Sequence, residues 1–298
     1  MILLPTPKQL EVFEERFVLR YDAYIVLEDG CSLLHRRQAF LLQKKIEEST
    51  GLALHLTAGK ARADDILLRY DPQIDAQPES YAIEIGRQGV VLAGSEQGLF
   101  WAIQTFCQIL GQYGCCLPQL RLQDAPSLPY RGYYHDVTRG RVPTLRFLKQ
   151  LADKLSEYKL NQMQLYIENT YLFRDFSEVW RSDDPLTPEE IIELDDYCYE
   201  RGIELVPSIS TFSHLYQVLR TRQFSYLCEL ENSCDDPFDA WDKQDHHTID
   251  ITNPDSFPFV CRMIDEYRPL FRTRLFNLCA DETFDLGLGR SQEYCRQV

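Results

Sequence analysis

The sequence predicts an α/β protein: an N-terminal α+β domain, with helices on a mostly antiparallel sheet, then the first half of a (β/α)₈ barrel. Three observations lead there. Up to about residue 120, strand-like and helix-like stretches come in mixed order. A linker-like run, Gln123-Asp-Ala-Pro-Ser-Leu-Pro129, follows. Beyond it, apolar strands and amphipathic helices alternate, which implies parallel strands joined by right-handed crossovers. The first two of these strands start near 131 and 162, matching the roughly 31 residues such a barrel spends on each unit. About four units fit before Val298. The expected domains are therefore 1–125, auxiliary, and 126–298, the N-terminal half of a barrel.

Each element has a local reason. Phe17–Leu27 is rich in strand-forming residues, and Leu33–Ile46 mixes apolar and basic residues as a surface helix does. Tyr81, Ile83 and Ile85 alternate with Ala82 and Glu84, a half-buried strand. Gly86-Arg-Gln-Gly89 turns the chain into Val90–Leu92. Ser95 can cap the next helix, whose Leu99, Ala102, Ile103, Phe106 and Leu110 share one face. After the linker, Gly132–Val137 reads as a strand and Leu148, Leu151, Leu155 and Tyr158 as a helical stripe. Met163–Ile167 is a second strand. Thr187-Pro-Glu-Glu190 is a capping box that opens a helix ending at Gly202, and Ile203–Val206 begins a third strand. Asn253-Pro254 opens a helix carrying Phe257, Val260, Cys261 and Ile264, and Leu275–Cys279 is a fourth strand.

Composition excludes several classes. The chain has 31 Lys+Arg against 46 Asp+Glu, a net charge of −15, which argues against a nucleic-acid binder. With 44% hydrophobic and 12% aromatic residues, it can bury a substantial core. No apolar run reaches the ~18 residues needed to cross a bilayer, and the start lacks the basic and apolar regions of a secretory signal. Ten cysteines without a Cys-x-x-Cys pair suggest a reduced, cytoplasmic chain. His246-His247 beside Asp245 offers metal-ligand chemistry, but adjacent histidines on a polar loop are more often solvated. No cofactor is expected, and oligomeric state is left open.

Asp281-Glu282 follows an apolar strand at the end where parallel α/β proteins place their chemistry. Each carboxylate raises the other's protonation cost, so one can stay ionised while its neighbour keeps a proton. Adjacent strand residues point to opposite faces, so both meet one substrate only where the strand ends or bulges. The alternative is an acidic helix N-terminus that complements the helix dipole.

Several motifs stand in a fixed order along the chain: Glu79-Ser-Tyr-Ala-Ile-Glu-Ile85 and Gly98-Leu-Phe-Trp-Ala-Ile-Gln-Thr-Phe106, then Pro129-Tyr-Arg-Gly-Tyr-Tyr-His-Asp136 with Arg139, and Tyr158-Lys-Leu-Asn161. Val206-Pro-Ser-Ile-Ser-Thr-Phe-Ser-His214 and Phe276-Asn-Leu-Cys-Ala-Asp-Glu282 follow. By these motifs the chain resembles glycoside hydrolase family 20, the β-N-acetylhexosaminidases, as a divergent, hexosaminidase D-like branch. The first two resemble the family's non-catalytic domain, the third its first barrel strand, and the fourth the approach to the second. The fifth resembles the third strand and its histidine loop, and the last resembles the strand that carries His-x-Gly-Gly-Asp-Glu.

The resemblance implies exo-hydrolysis of terminal β-linked GlcNAc or GalNAc with retention, the sugar's acetamido oxygen acting as nucleophile. It assigns Asp281 to orient the acetamido nitrogen and Glu282 to act as acid, then base. It also assigns Arg131 to sugar hydroxyls, with a structural salt bridge as the competing role. His214 would support the acid, and Glu168 or Asn169 would support His214, so Arg131, His214 and Glu168 complete the substrate-binding set. Asp136 and Arg139 are expected to pair with each other or with nearby barrel groups. The sequence departs from the family at Asn277, Cys279, Ala280 and Ile167-Glu-Asn-Thr170. The barrel's later strands are expected in a longer parent protein, leaving this portion inactive alone. Remaining alternatives are a catalytically silent sugar-binding protein, a retaining β-glycosidase with no need of the N-acetyl group, and a metal site of Asp281, Glu282 and Asp285.

Overall fold

The computed structural model describes residues 1–74, 77–180, 184–235 and 245–298. The chain divides into two compact units. The first is Met1–Arg131 with Ala152–Asn161 and Glu200–Ile203; the second is Gly132–Leu151, Gln162–Tyr199 and Glu204–Val298.

The first unit is built on seven strands: β1 (Gln9–Val18), β2 (Tyr24–Leu27), β3 (His55–Ala58), β4 (Ile66–Tyr70), β5 (Tyr81–Gly86), β6 (Gly89–Gly94) and β7 (Cys116–Asp124). Two helices accompany them, α1 (Leu33–Thr50) and α2 (Gly98–Tyr113). The strand order is β1-β7-β5-β6-β4-β2-β3. Pairing is antiparallel from β1 through β7 and β5 to β6, and parallel from β6 through β4 and β2 to β3. The sheet is thus evenly mixed, where a mostly antiparallel one was expected. The stretch 17–27 is two strands, because the chain turns at residues 21 and 22.

Helix α2 is buried along most of its length, from Leu99 and Phe100 through Trp101 and Phe106 to Leu110. Each such side chain removed from water contributes roughly 1.5–3 kcal/mol. Ser95 Oγ accepts the Gly98 N–H at 3.3 Å. Gly98 must be glycine, since a Cβ there would lie 1.9 Å from the Ser80 carbonyl oxygen.

The second unit holds three parallel strands in the order β10-β9-β8: β8 (Gly132–Asp136), β9 (Gln162–Ile167) and β10 (Glu204–Ile209). Helix α3 (Leu145–Glu157) lies between β8 and β9 in sequence, and α4 (Pro188–Glu200) between β9 and β10. The capping box at α4 is present: Glu190 N–H donates to Thr187 Oγ1 at 3.2 Å, and Thr187 N–H to Glu190 Oε2 at 3.0 Å. Short α5 (Tyr216–Leu219), α6 (Ser256–Tyr267) and short α7 (Gln292–Gln297) follow. Helix α6 buries Phe259, Val260, Met263 and Tyr267, whereas Phe257 is 71% exposed. Phe259 stacks on Phe176 at 5.6 Å between centroids, and Tyr267 meets Tyr171 edge-on at 4.7 Å.

The fourth expected strand is reduced to one bridge. Asn277 pairs in parallel with Ser208; its N–H donates to the Pro207 carbonyl and its own carbonyl accepts the Ile209 N–H. The ladder stops there because the Asn277 side chain takes the Cys279 N–H at 3.1 Å, a local bond that competes with strand pairing. Cys279 then adopts φ +44.

Candidate active site

Each strand of the second unit ends beside chemistry. Tyr134 and Arg139 lie at the end of β8, Tyr166 and Glu168 at the end of β9, His214 after β10, and Cys279–Glu282 after the Asn277 bridge. These carboxyl ends surround an open cavity of about 530 Å³, within the range of small-ligand sites. Asp281, Glu282, His214 and Arg139 line it, as do Tyr134, Tyr166 and Cys279.

His214 sits between two carboxylates. Its Nε2 lies 3.0 Å from Glu282 Oε2, and its Nδ1 lies 3.7 Å from Glu168 Oε1. Glu168 is largely enclosed, whereas Glu282 is 46% exposed on the cavity side. Tyr166 Oη donates to Glu168 Oε1 at 2.8 Å, and Ser210 Oγ donates to Tyr166 Oη at 3.2 Å. Burial pushes the Glu168 carboxyl up, a push that the Tyr166 hydroxyl and the nearby His214 and Arg139 oppose. Burial also raises the Tyr166 hydroxyl, which keeps it a donor. The row Glu168–His214–Glu282 can hold a proton on the exposed carboxyl and take it back.

The left-handed backbone explains how adjacent carboxylates share one cavity. Glu282 has φ +50 and His214 φ +55, joining Cys279. Such conformations cost a non-glycine residue on the order of 1–3 kcal/mol and gather at functional sites. They break strand alternation, so Asp281 and Glu282 both reach the cavity wall. Two cross-links set the loops side by side. Ser213 Oγ donates to the Asp281 carbonyl, and Thr211 Oγ1 donates to the Leu278 carbonyl at 2.7 Å.

The expected residues divide. Asp281, Glu282 and His214 come together at the cavity. Glu168 stands behind His214, so it supports the imidazole and does not line the cavity. Arg131 requires a correction. It belongs to the first unit, where NH2 donates to Glu79 Oε2 at 2.5 Å, Nε to the Lys159 carbonyl at 2.7 Å and NH1 to the Leu128 carbonyl at 2.8 Å. A guanidinium so engaged is a structural anchor, the competing role weighed for it above.

Arg139 is the arginine on the cavity. Its Nε donates to Asp136 Oδ2 at 2.6 Å and its guanidinium carbon stands 4.9 Å from the Tyr166 ring centre. Burial disfavours the Asp136 carboxylate, but N–H groups of Arg139 and Thr138 and the guanidinium outweigh that and hold it below the usual range. Tyr134 was also missed; its Oη lies 2.8 Å from Ser208 Oγ and 3.3 Å from Cys279 Sγ. Strand parity was the available signal, since Tyr134 shares a face with Asp136.

Donor atoms of His214, Asp281 and Glu282 fall within 4.8 Å of one another, a grouping open to a cation. Asp285 does not join them: it is buried and accepts the His247 and Thr248 N–H groups, each at 3.1 Å. His247, expected to be solvated, is buried as well. No helix among the described residues is long and apolar enough to cross a membrane.

A carboxylate pair beside an imidazole, at the carboxyl ends of parallel strands, stands where α/β barrels carry their active sites. The chain belongs to glycosyl hydrolase family 20: residues 1–125 match "Glycosyl hydrolase family 20, domain 2" and residues 128–297 match "Glycosyl hydrolase family 20, catalytic domain". It is 25% identical over 319 aligned residues to a beta-hexosaminidase of Vibrio furnissii, covering 95% of this chain and 49% of that protein. Among solved structures, Streptomyces plicatus N-acetyl-beta-hexosaminidase in complex with Thio-NAglucal superposes with a TM-score of 0.81 at 19% identity, over 95% of this chain and 60% of that one. Beta-N-acetylhexosaminidase from Bacteroides fragilis gives 0.80 at 17% identity, over 99% and 60%. These likenesses establish the fold, an auxiliary domain followed by part of an α/β barrel. The chain spans about half the length of the curated Vibrio relative.

Proposed function

We propose that the protein is an exo-acting β-N-acetylhexosaminidase that removes terminal β-linked GlcNAc or GalNAc with retention. The observation that carries this reading is the Glu168–His214–Glu282 row ending on a cavity that Asp281 shares. The names of the relatives support the substrate class.

In the proposed reaction the acetamido oxygen forms a bond to the anomeric carbon while the glycosidic C–O bond breaks. Glu282 gives its proton to the leaving oxygen, and Asp281, ionised, accepts the acetamido N–H. The oxazolinium that results is opened by water, which loses a proton to Glu282 as its oxygen joins the anomeric carbon from the face the aglycone left. Neither carboxylate acts as a nucleophile, so adjacent residues suffice where an ordinary retaining glycosidase needs carboxylates across the sugar. His214 steadies whichever charge Glu282 carries.

The test uses the full-length protein. It is expected to cleave a chromogenic β-N-acetylglucosaminide and to be inhibited by a thiazoline mimic of the intermediate. Equal cleavage of the plain glucoside without thiazoline inhibition would overturn substrate assistance. Binding of the amino sugar without turnover would make the protein a lectin-like relative. The 298-residue chain, spanning about half of its Vibrio relative, is expected to be inactive by itself.

A further inference from the structure

His247 is buried to 1% exposure, yet its ring is polar and only half used. Its Nδ1 accepts the backbone N–H of His214 at 3.2 Å, across 33 residues. Its Nε2 has no partner among the described residues. With Nδ1 accepting, the ring is the neutral tautomer that carries its proton on Nε2. A buried N–H without an acceptor is destabilising, because its hydration is lost and nothing replaces it. An apolar ring could fill the same space, beside Phe284 on one side and His214 on the other, without that cost. The contact at Nδ1 is therefore the chemical reason for a histidine here.

That contact falls at a demanding place. The N–H it holds belongs to a residue in the left-handed region, φ +55, whose imidazole must stand 3.0 Å from Glu282. The backbone of His247 is itself fixed by Asp285, which takes the N–H groups of His247 and Thr248. The Leu215 N–H closes the joint by donating to the His247 carbonyl at 3.0 Å. Asp285 lies three residues beyond Glu282. The bonds thus form a closed circuit: from the segment that carries the acid, through His247, to the backbone of His214 and back through its ring to the acid.

We propose that His247 is a positioning residue for Glu282: through Nδ1 it locks the His214 backbone so that the imidazole is held at hydrogen-bond distance from the acid. The proposal rests on the hexosaminidase reading for its kinetic consequence and on geometry alone for its structural one. The two are tested separately.

Kinetically, His247→Gln and His247→Asn are compared in the full-length protein on aryl N-acetylglucosaminides with good and poor leaving groups. Asparagine places Oδ1 where Nδ1 stands and can accept the His214 N–H; glutamine cannot. His247→Gln is expected to lose roughly 10- to 100-fold in kcat on the poor leaving group, the usual cost of a misplaced catalytic group. It should lose little on the good one, which needs no proton, and His247→Asn should recover most of the loss. Equal losses on both substrates, or no rescue by asparagine, would refute the positioning role. Structurally, ¹⁵N spectra of the 298-residue chain read the ring tautomer and the exchange of the His214 amide. Expected are an Nε2–H ring and an amide slowed in wild type and in His247→Asn but fast in His247→Gln. A wild-type Nδ1–H ring, or an amide equally fast in all three proteins, refutes the proposal even if the enzyme reading has failed. A slowed amide without hexosaminidase turnover refutes only that reading.

Discussion

Two arginines show how the same group serves two purposes in the two units. In the first unit, Arg131 faces Glu79 with side chains 17% and 15% exposed, and backbone carbonyls occupy the rest of its guanidinium. Glu79 is shared further, accepting from Trp101 Nε1 at 2.6 Å and Asn161 Nδ2 at 3.1 Å. In the second unit, Arg139 also meets a carboxylate, Asp136, but its side chain is 50% exposed and lines the cavity. An enclosed pair with every partner protein-derived stabilises a fold and has little left to offer a ligand. A half-open pair keeps free donors and a field directed at whatever enters. The contrast recurs among the titratable groups. Lys159 is buried against Tyr81 Oη at 2.9 Å and Asp124 at 3.7 Å, whereas His214 stands between one enclosed and one exposed carboxylate.

Substitutions separate the anchoring role from the catalytic one. The largest effect is expected for Glu282→Gln in the full-length protein, a loss of about 10²- to 10⁴-fold in turnover on poor leaving groups with stability unchanged. Unaltered rates would remove Glu282 as the acid. Arg131→Met is expected to do the reverse. It leaves the enclosed Glu79 carboxylate uncompensated, so the chain should lose about 3–5 kcal/mol in a denaturant melt while activity per folded molecule holds. A fall in kcat with stability intact would return Arg131 to the site.

Lys159 makes stability depend on pH. Burial lowers the Lys159 ammonium to about 8 in the folded chain, although Asp124 pulls the other way, against ~10.4 for an unfolded lysine. Between those values the unfolded state binds the extra proton, so stability rises with pH, by on the order of 3 kcal/mol across pH ~8 to ~10. Below pH ~8 both states are protonated and the contribution is flat. Lys159→Met should flatten the rise in denaturant melts; an unchanged slope would place the titration elsewhere. The smallest effect is expected for Arg139→Met, roughly a tenfold loss in kcat/KM with stability within ~1 kcal/mol, since half-exposed ion pairs contribute little. A loss of several kcal/mol would make Arg139 an anchor like Arg131.

Much of this could be read in advance. Alternation at Tyr81–Ile85, the Thr187–Glu190 box and the strand–helix rhythm after residue 130 follow from local preferences, and they formed as expected. Asp281-Glu282 stood out because residue type and strand position lie within a few residues of each other. The expected strand at 275–279 shortened to a bridge because an asparagine side chain claimed a backbone N–H, an event that apolar pattern does not record. Helix α6 shows a similar limit: periodicity gives the spacing of an apolar stripe, and packing of Phe259 against Phe176 and Phe224 selects its phase.

The order of elements, the adjacent carboxylates, the histidine loop and membership of the family were all legible in the amino-acid sequence, because these are properties of short segments and their spacing. Tertiary structure decided which arginine is enclosed and which faces the cavity, and that His247 is buried against His214. Those outcomes depend on partners 52 residues apart for Arg131 and Glu79 and 33 apart for the histidines. Burial and hydrogen-bond partnership arise only once the chain has folded, and they set whether the same side chain anchors a core or serves a reaction.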